Sequence, residues 1–290
     1  MNSMRLKRIV FASAVALAAP VAVAAQAPVS APAPAAAATI PTFASVAALY
    51  SQYRLKPIWF RNGAPAAAAT QLAQILRRAQ VDGLASGPQL AVQVESAIAQ
   101  AAGGDPAALT AAEQTLSAAW VLYVQTLKRP TRDMIYAYDV LKPQGGRSDQ
   151  ILLAAAGAPS LEQHLAQVAA VNPIYSQIRE AEWARMQATG SLAPDHRVTA
   201  NLDRVRSIPA RGRFILVDSA SQRMFLYENG VPVDSMKVIV GTPEMPTPLI
   251  ASVMYYVTFN PQWNAPEHLV RGPIAKKTLA GGLKYFDQMG

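Results

Sequence analysis

The hydrophobic period of this chain changes once, near Arg211, and that change limits the fold more than any other feature. Before it, apolar residues recur at helical spacing between clear stops. After it come short β-branched and aromatic runs, Phe214-Ile-Leu-Val217 and Met224-Phe-Leu-Tyr227, which are the mark of strands. A run of helices followed by a run of strands predicts an α+β protein, with a helical domain followed by a β-rich one.

The helical part announces its boundaries. Leu72, Ile75, Leu76 and Ala79 keep one face, and Asp82-Gly83 breaks the pattern. Asp105 before Pro106 is an N-cap with proline at the first helical position. It opens the longest pattern, with Leu109, Leu116, Trp120, Tyr123, Val124 and Leu127 on one face. Ser160 to Gln163 has the capping-box form, Asn172-Pro173 stops that helix, and another is predicted from Pro173 to Ala188. Trp59, Trp120, Tyr123, Tyr136, Tyr138, Tyr175 and Trp183 would suit a sugar-binding groove, but aromatic residues at helical spacing read first as core.

In the second part, Asn229-Gly230 is a strong hairpin signal, since both residues accept the positive φ of a type I′ turn. Val231, Val233, Val238 and Val240 are expected on the return strand, with Gly241 allowing a sharp exit. A further strand is predicted from Val253 to Phe259, ending at Asn260-Pro261. These strands expose edges and an apolar face, so the β half is expected to be less stable than the helical half.

At the N-terminus, Arg5, Lys7 and Arg8 precede the apolar run Ile9 to Ala19, then Pro20 and small residues. This reads as a cleavable signal peptide, with Ala22 and Ala24 at the cleavage positions. The expected organisation is a leader over 1–24, an Ala/Pro-rich linker over 25–41, a helical domain over 42–190, a polar connector over 191–210 and the strand region over 211–290. Export to the periplasm without a permanent membrane anchor follows. The chain has 26 Lys and Arg against 18 Asp and Glu. Removing the leader's three cations leaves 23 against 18, a net charge of +5 spread along the chain. No basic cluster interleaves with aromatics in the manner of nucleic-acid binding.

Chemistry-bearing residues are sparse. The 290 residues hold no cysteine, which excludes disulfides, thiolate metal sites and thiol nucleophiles. His164, His196 and His268 show no metal-ligand spacing, so no metal and no cofactor is expected. Ser219, Ser221, Ser235 and Ser252 are not on a Gly-x-Ser-x-Gly elbow. Glu113, Glu162, Glu180 and Glu182 fall on helices without a paired-carboxylate pattern, and Gly281-Gly282 lacks a P-loop lysine.

Ordered features of the second part resemble L,D-transpeptidase catalytic domains. They are Asn201-Leu202-Asp203-Arg204 with Arg206 and Ile208-Pro209, Phe214 to Val217, Leu226 to Gly230, Val238-Ile239-Val240-Gly241, Thr247-Pro248 and Asn260-Pro261-x-Trp263-Asn264-x-Pro266. Asp218-Ser219, Ala265 and Glu267 depart from the usual pattern. Tyr50, Pro57-Ile58-Trp59, Leu72 to Leu76, Asp82-Gly83-Leu84, Pro173-Ile174-Tyr175 and Ile178-Arg179 resemble the helical scaffold domain of the large periplasmic members. The short stretch between Arg179 and Asn201 leaves no room for the peptidoglycan-binding module that many of them carry there.

The resemblance implies a helical scaffold followed by the first strands of a β-rich catalytic domain. It also implies peptidoglycan stem peptides as partners and cross-linking through a cysteine thioester. The family's catalytic histidine and Ser-His-Gly-Cys-x-Arg motif do not occur in these 290 residues, so the expectation is a fragment without catalytic residues. A non-catalytic envelope protein that binds peptidoglycan is the alternative.

Overall fold

A computed structural model of the chain describes residues 43–259, together with Gly272, Lys276, Ala280 and Gly281. The expected leader and linker, the Asn260 to Pro266 signature and His268 lie outside the described residues.

Helix α1 (Phe43–Tyr53) leads to the Pro57-Ile58-Trp59 loop, followed by α2 (Ala67–Arg78) and α3 (Gly87–Ala101). Alanine makes this part compact. Ala68, Ala69, Ala73 and Ala79 are buried together with Leu72, Ile75 and Leu76, so small side chains on α2 fill core positions and bring the helices close. Burying a leucine such as Leu72 or Leu76 contributes roughly 1.5–3 kcal/mol.

The long helix α4 (Pro106–Leu127) begins where its cap predicts, with the Asp105 carboxylate accepting from Ala108 N at 2.8 Å. Its buried face carries Leu116, Trp120, Tyr123, Val124 and Leu127. An excursion holding the two-residue strand β1 (Ile135–Tyr136) precedes α5 (Ser148–Ala156), α6 (Leu161–Ala170) and α7 (Pro173–Thr189). Ser160 Oγ caps α6 through Gln163 N at 3.2 Å. Asn172 Oδ1 caps α7 through Tyr175 N at 2.9 Å.

The polar connector contains one more helix, α8 (His196–Val205), whose Leu202 is buried in the scaffold core. The sheet then follows as an antiparallel meander of β2 (Arg213–Asp218), β3 (Arg223–Glu228) and β4 (Val231–Lys237). Its hairpin turn is the Asn-Gly pair, with φ of 51° at Asn229 and 83° at Gly230. Phe214 stacks on its cross-strand partner Tyr227 at 4.8 Å between ring centres.

Two strand expectations differ from the structure. The return strand ends at Lys237; Val238 N still donates to Gln222 O at 3.0 Å, and Val240 lies beyond the strand. Residues 253–259 form no strand; β5 is only Ile250–Ala251, and it pairs in parallel with β1 of the helical part. A strand exists only where a partner completes its hydrogen bonds, and among the described residues none pairs with 253–259.

Gly241 has a reason other than a sharp exit. The loop 242–247 folds over it, with Gly241 N donating to Thr247 Oγ1 at 2.8 Å, and an added Cβ would lie 2.1 Å from Met245 O.

Candidate functional site

The carboxylates that could suggest acid-base chemistry serve the scaffold. Glu113 is buried on α4 beneath the Pro57-Ile58-Trp59 loop. It accepts from Trp59 N at 3.1 Å, Phe60 N at 3.2 Å, Tyr50 Oη at 2.7 Å and also Ile58 N. Ser117, one turn on, accepts from Trp59 Nε1 at 2.9 Å and shares a hydrogen bond of 2.8 Å with Tyr50 Oη. The loop has no regular structure of its own, so its backbone donors need these distant acceptors. That requirement explains why tyrosine, tryptophan, glutamate and serine occur at these positions.

A second buried group centres on Asp82, read from sequence as part of a helix break and of the resemblance to the scaffold domain. Tyr175 Oη donates to its Oδ1 at 2.9 Å and Tyr123 Oη to its Oδ2 at 3.0 Å. The Arg179 guanidinium lies 3.7 Å away. Burial raises the carboxyl above its usual range, against the opposing pull of Arg179 and the two hydroxyls. Burial also pushes the phenols of Tyr123 and Tyr175 well up, with the Asp82 charge adding to it. All three groups are buried, so the cluster offers no face to a substrate.

The remaining glutamates tie helices together. Glu162 on α6 accepts from Ala68 N at 3.2 Å and so caps α2 from a distance, where Ala66 has no capping side chain. Glu180 pairs with Arg78 at 2.8 Å, while the buried Glu182 pairs with Arg185 at 2.6 Å and accepts from Asp195 N at 2.7 Å. The aromatic residues follow suit. Trp59, Trp120, Tyr123 and Tyr175 are fully buried, whereas Tyr138 is exposed.

Among the described residues the serines and histidines form no nucleophile-base pair. Ser221 Oγ donates to Asp218 at 2.6 Å, and Ser235 Oγ accepts from Arg223 at 2.6 Å. Ser219 and Ser252 are exposed. His164 is on α6 with its ring edge toward Trp120, and partial burial lowers its pKa, Lys128 adding to the effect. His196 is exposed at the start of α8. Among the described residues no group of three or more His, Asp or Glu could hold a metal ion.

A shallow cavity of about 430 Å³ lies between α1 and the start of α5. Its charged side chains are paired with each other. Arg147 donates to Asp149 at 2.7 Å, Tyr53 Oη adds a bond of 3.0 Å, and the Arg147 hydrogen bond helps pull the Asp149 carboxyl down to about 2.

The feature with a clear bearing on function is the junction between scaffold and sheet, built from the Asn201 to Pro209 lead-in. Asp203 accepts from Arg132 N at 3.1 Å and pairs with Arg129 at 3.3 Å and Arg206 at 3.2 Å. Arg206, largely buried, donates to Thr126 O at the end of α4, 2.7 Å away. Burial lowers its pKa, as does the nearby Arg129. Asn172 Nδ2 donates to Val205 O at 2.9 Å and Ile208 O at 3.2 Å, while the hairpin tip at Gly230 packs on Pro173. The motif that leads into the strands is thus a docking element, joining the connector to the ends of α4 and α7.

A helical scaffold that docks an antiparallel hairpin through such a lead-in defines a two-part protein, a helical domain followed by a β-rich one. Both parts match known families in that order. Residues 44–181 match the Scaffold domain and residues 212–286 match the L,D-transpeptidase catalytic domain. Over these two regions the chain is similar to the L,D-transpeptidase family.

A Haemophilus influenzae protein with the provisional name of an L,D-transpeptidase is 24% identical over 237 residues, covering 81% of this chain and 47% of that protein. The chain therefore spans about half the length of that relative. No solved structure matches the chain. Among the described residues no helix is long and apolar enough to cross a membrane.

Proposed function

We propose that the chain serves peptidoglycan cross-linking as the scaffold and leading strands of an L,D-transpeptidase, acting on stem peptides in the periplasm after export by a cleaved leader. The observation that carries this reading is the succession of the two matched regions, joined by the docked lead-in. The family chemistry needs an activated thiolate that attacks the stem-peptide amide and forms a thioester, with backbone N–H groups facing the oxyanion. The 290 residues contain no cysteine, so as a polypeptide they are proposed to bind or position but not to turn over substrate.

Two experiments test this. The coding sequence read in frame past codon 290 is expected to encode a histidine and a Ser-His-Gly-Cys-x-Arg segment, and a stop codon there counts against the proposal. Purified polypeptide of residues 25–290 incubated with a disaccharide-tetrapeptide is expected to release no D-alanine, and release would refute it.

The cysteine-free composition also favours a second reading, a non-catalytic peptidoglycan-binding protein. Cosedimentation with purified sacculi together with an authentic stop codon would select it.

A further inference from the structure

The excursion between α4 and α5 does more than connect them. Ile135 N donates to Leu249 O and Ala137 N to Ala251 O, each at 2.9 Å, laying β1 on β5. One residue on, the ring of Tyr138 meets that of Tyr255 edge to face at 5.7 Å. The base of the excursion is fixed by a triangle of hydroxyls. Tyr136 Oη accepts from Thr131 N at 2.9 Å and is 3.1 Å from Ser207 Oγ. Thr131 Oγ1 is 2.9 Å from Ser207 Oγ and donates to Asp203 O at 2.6 Å.

We infer that residues 131–142 form a strap that reversibly latches the scaffold onto the strand leading into the exposed run Val253 to Phe259. Ile135 is 55% exposed and Ile250 53% exposed, so the ladder has little apolar burial behind it. A parallel pairing of two residues per strand is too short to persist unaided. The strap therefore depends on directional bonds at its base. A segment held in this way opens without loosening the packed core. Closed, it sets the position of β5 against the scaffold; open, it frees β5 and the aromatic run beyond. The inference rests on this geometry and not on the proposed chemistry.

The absence of cysteine provides the test. In the full 290-residue chain, Ile135→Cys with Ile250→Cys places two thiols at in-register positions, and Ile135→Cys with Val253→Cys is the control. The in-register pair is expected to form its disulfide in air at least about tenfold faster than the control, because bridging needs Cα atoms within a few ångströms. Hydrogen exchange supplies a second readout without cysteines. The amides of Ile135 and Ala137 are expected to exchange at least about tenfold faster than those of Leu116 and Trp120 in the core, yet about tenfold slower than free peptide. Tyr136→Phe should speed those two amides at least about threefold and leave Trp120 unchanged. Equal cross-linking of the two pairs, exchange at the core rate or the free-peptide rate, or no response to Tyr136→Phe would each overturn the strap.

Discussion

Replacing Glu113 by alanine tests the scaffold at its most demanding point. The carboxylate serves three consecutive backbone N–H groups, those of Ile58, Trp59 and Phe60, and the Tyr50 hydroxyl. Tyr50 keeps Ser117 as a partner when Glu113 is gone, but the three amides lose theirs. Ile58 is 1% exposed, Trp59 0% and Phe60 3%, so water reaches them only if the loop lifts off α4. Each buried donor left without a partner costs about 1–3 kcal/mol. Three orphans, partly relieved by loop movement, predict a loss of about 3–5 kcal/mol, a large share of the stability of an ordinary domain. Urea unfolding of the scaffold, followed by the fluorescence of its buried tryptophans, measures this. Glu113→Gln keeps the volume and one acceptor oxygen, so it should lose less than the alanine variant. If Glu113→Ala costs less than about 1 kcal/mol, the typical net worth of one hydrogen bond, the reasoning is refuted.

Other outcomes follow from the same contacts. Because burial holds the Asp82 carboxyl above its unfolded value of 3.8, the native state binds that proton more tightly than the unfolded chain. The stability this adds is present at acid pH and lost as pH rises from about 3.8 through the folded value. Relative to Asp82→Asn, which has no such titration, wild type should therefore lose stability across that window in paired denaturant melts, and a relative gain would contradict the assignment. Gly230→Ala places a Cβ 2.7 Å from Pro173 Cγ at a φ of 83°, so it should cost about 1–3 kcal/mol and show as faster amide exchange in β3 and β4. Gly241→Ala collides with backbone at Met245 and Thr247 and should disorder the 242–247 loop, visible as lost protection of Gly241 N. Ile215, Val217, Val231 and Val233 are 39–60% exposed, so the 290-residue polypeptide is expected to melt in two steps, sheet before scaffold. A single cooperative transition would refute that order.

What the sequence made legible was whatever a few neighbouring residues decide. The caps at Asp105, Ser160 and Asn172 depend on donors three residues away, and each forms as read. The Asn229-Gly230 turn is equally local. The buried aromatics on helices, Trp120, Tyr123 and Tyr175, could be assigned to the core from spacing alone. What could not be read depends on partners far along the chain. Asp82 meets Tyr123 and Tyr175 across 41 and 93 residues, and no local pattern distinguishes it from the Asp-Gly of an ordinary turn. The same holds for Glu113, whose role is set by a loop more than fifty residues earlier. Residues 253–259 have a strand's composition but no partner among the described residues, and composition supplies only the tendency. His164 and His196, far apart in the sequence, lie on different helices, α6 and α8.

The distant cap on α2 has a kinetic meaning. Its first turn is completed by Glu162, which reaches Ala68 N across 94 residues, and no side chain at Ala66 substitutes for it. A helix of this length is marginal before it packs, so α2 is expected to fray at its start until α6 has arrived. Closing so long a loop slows folding. The N-terminal turn of α2 should thus be among the last scaffold elements protected during refolding, although it is made early in synthesis.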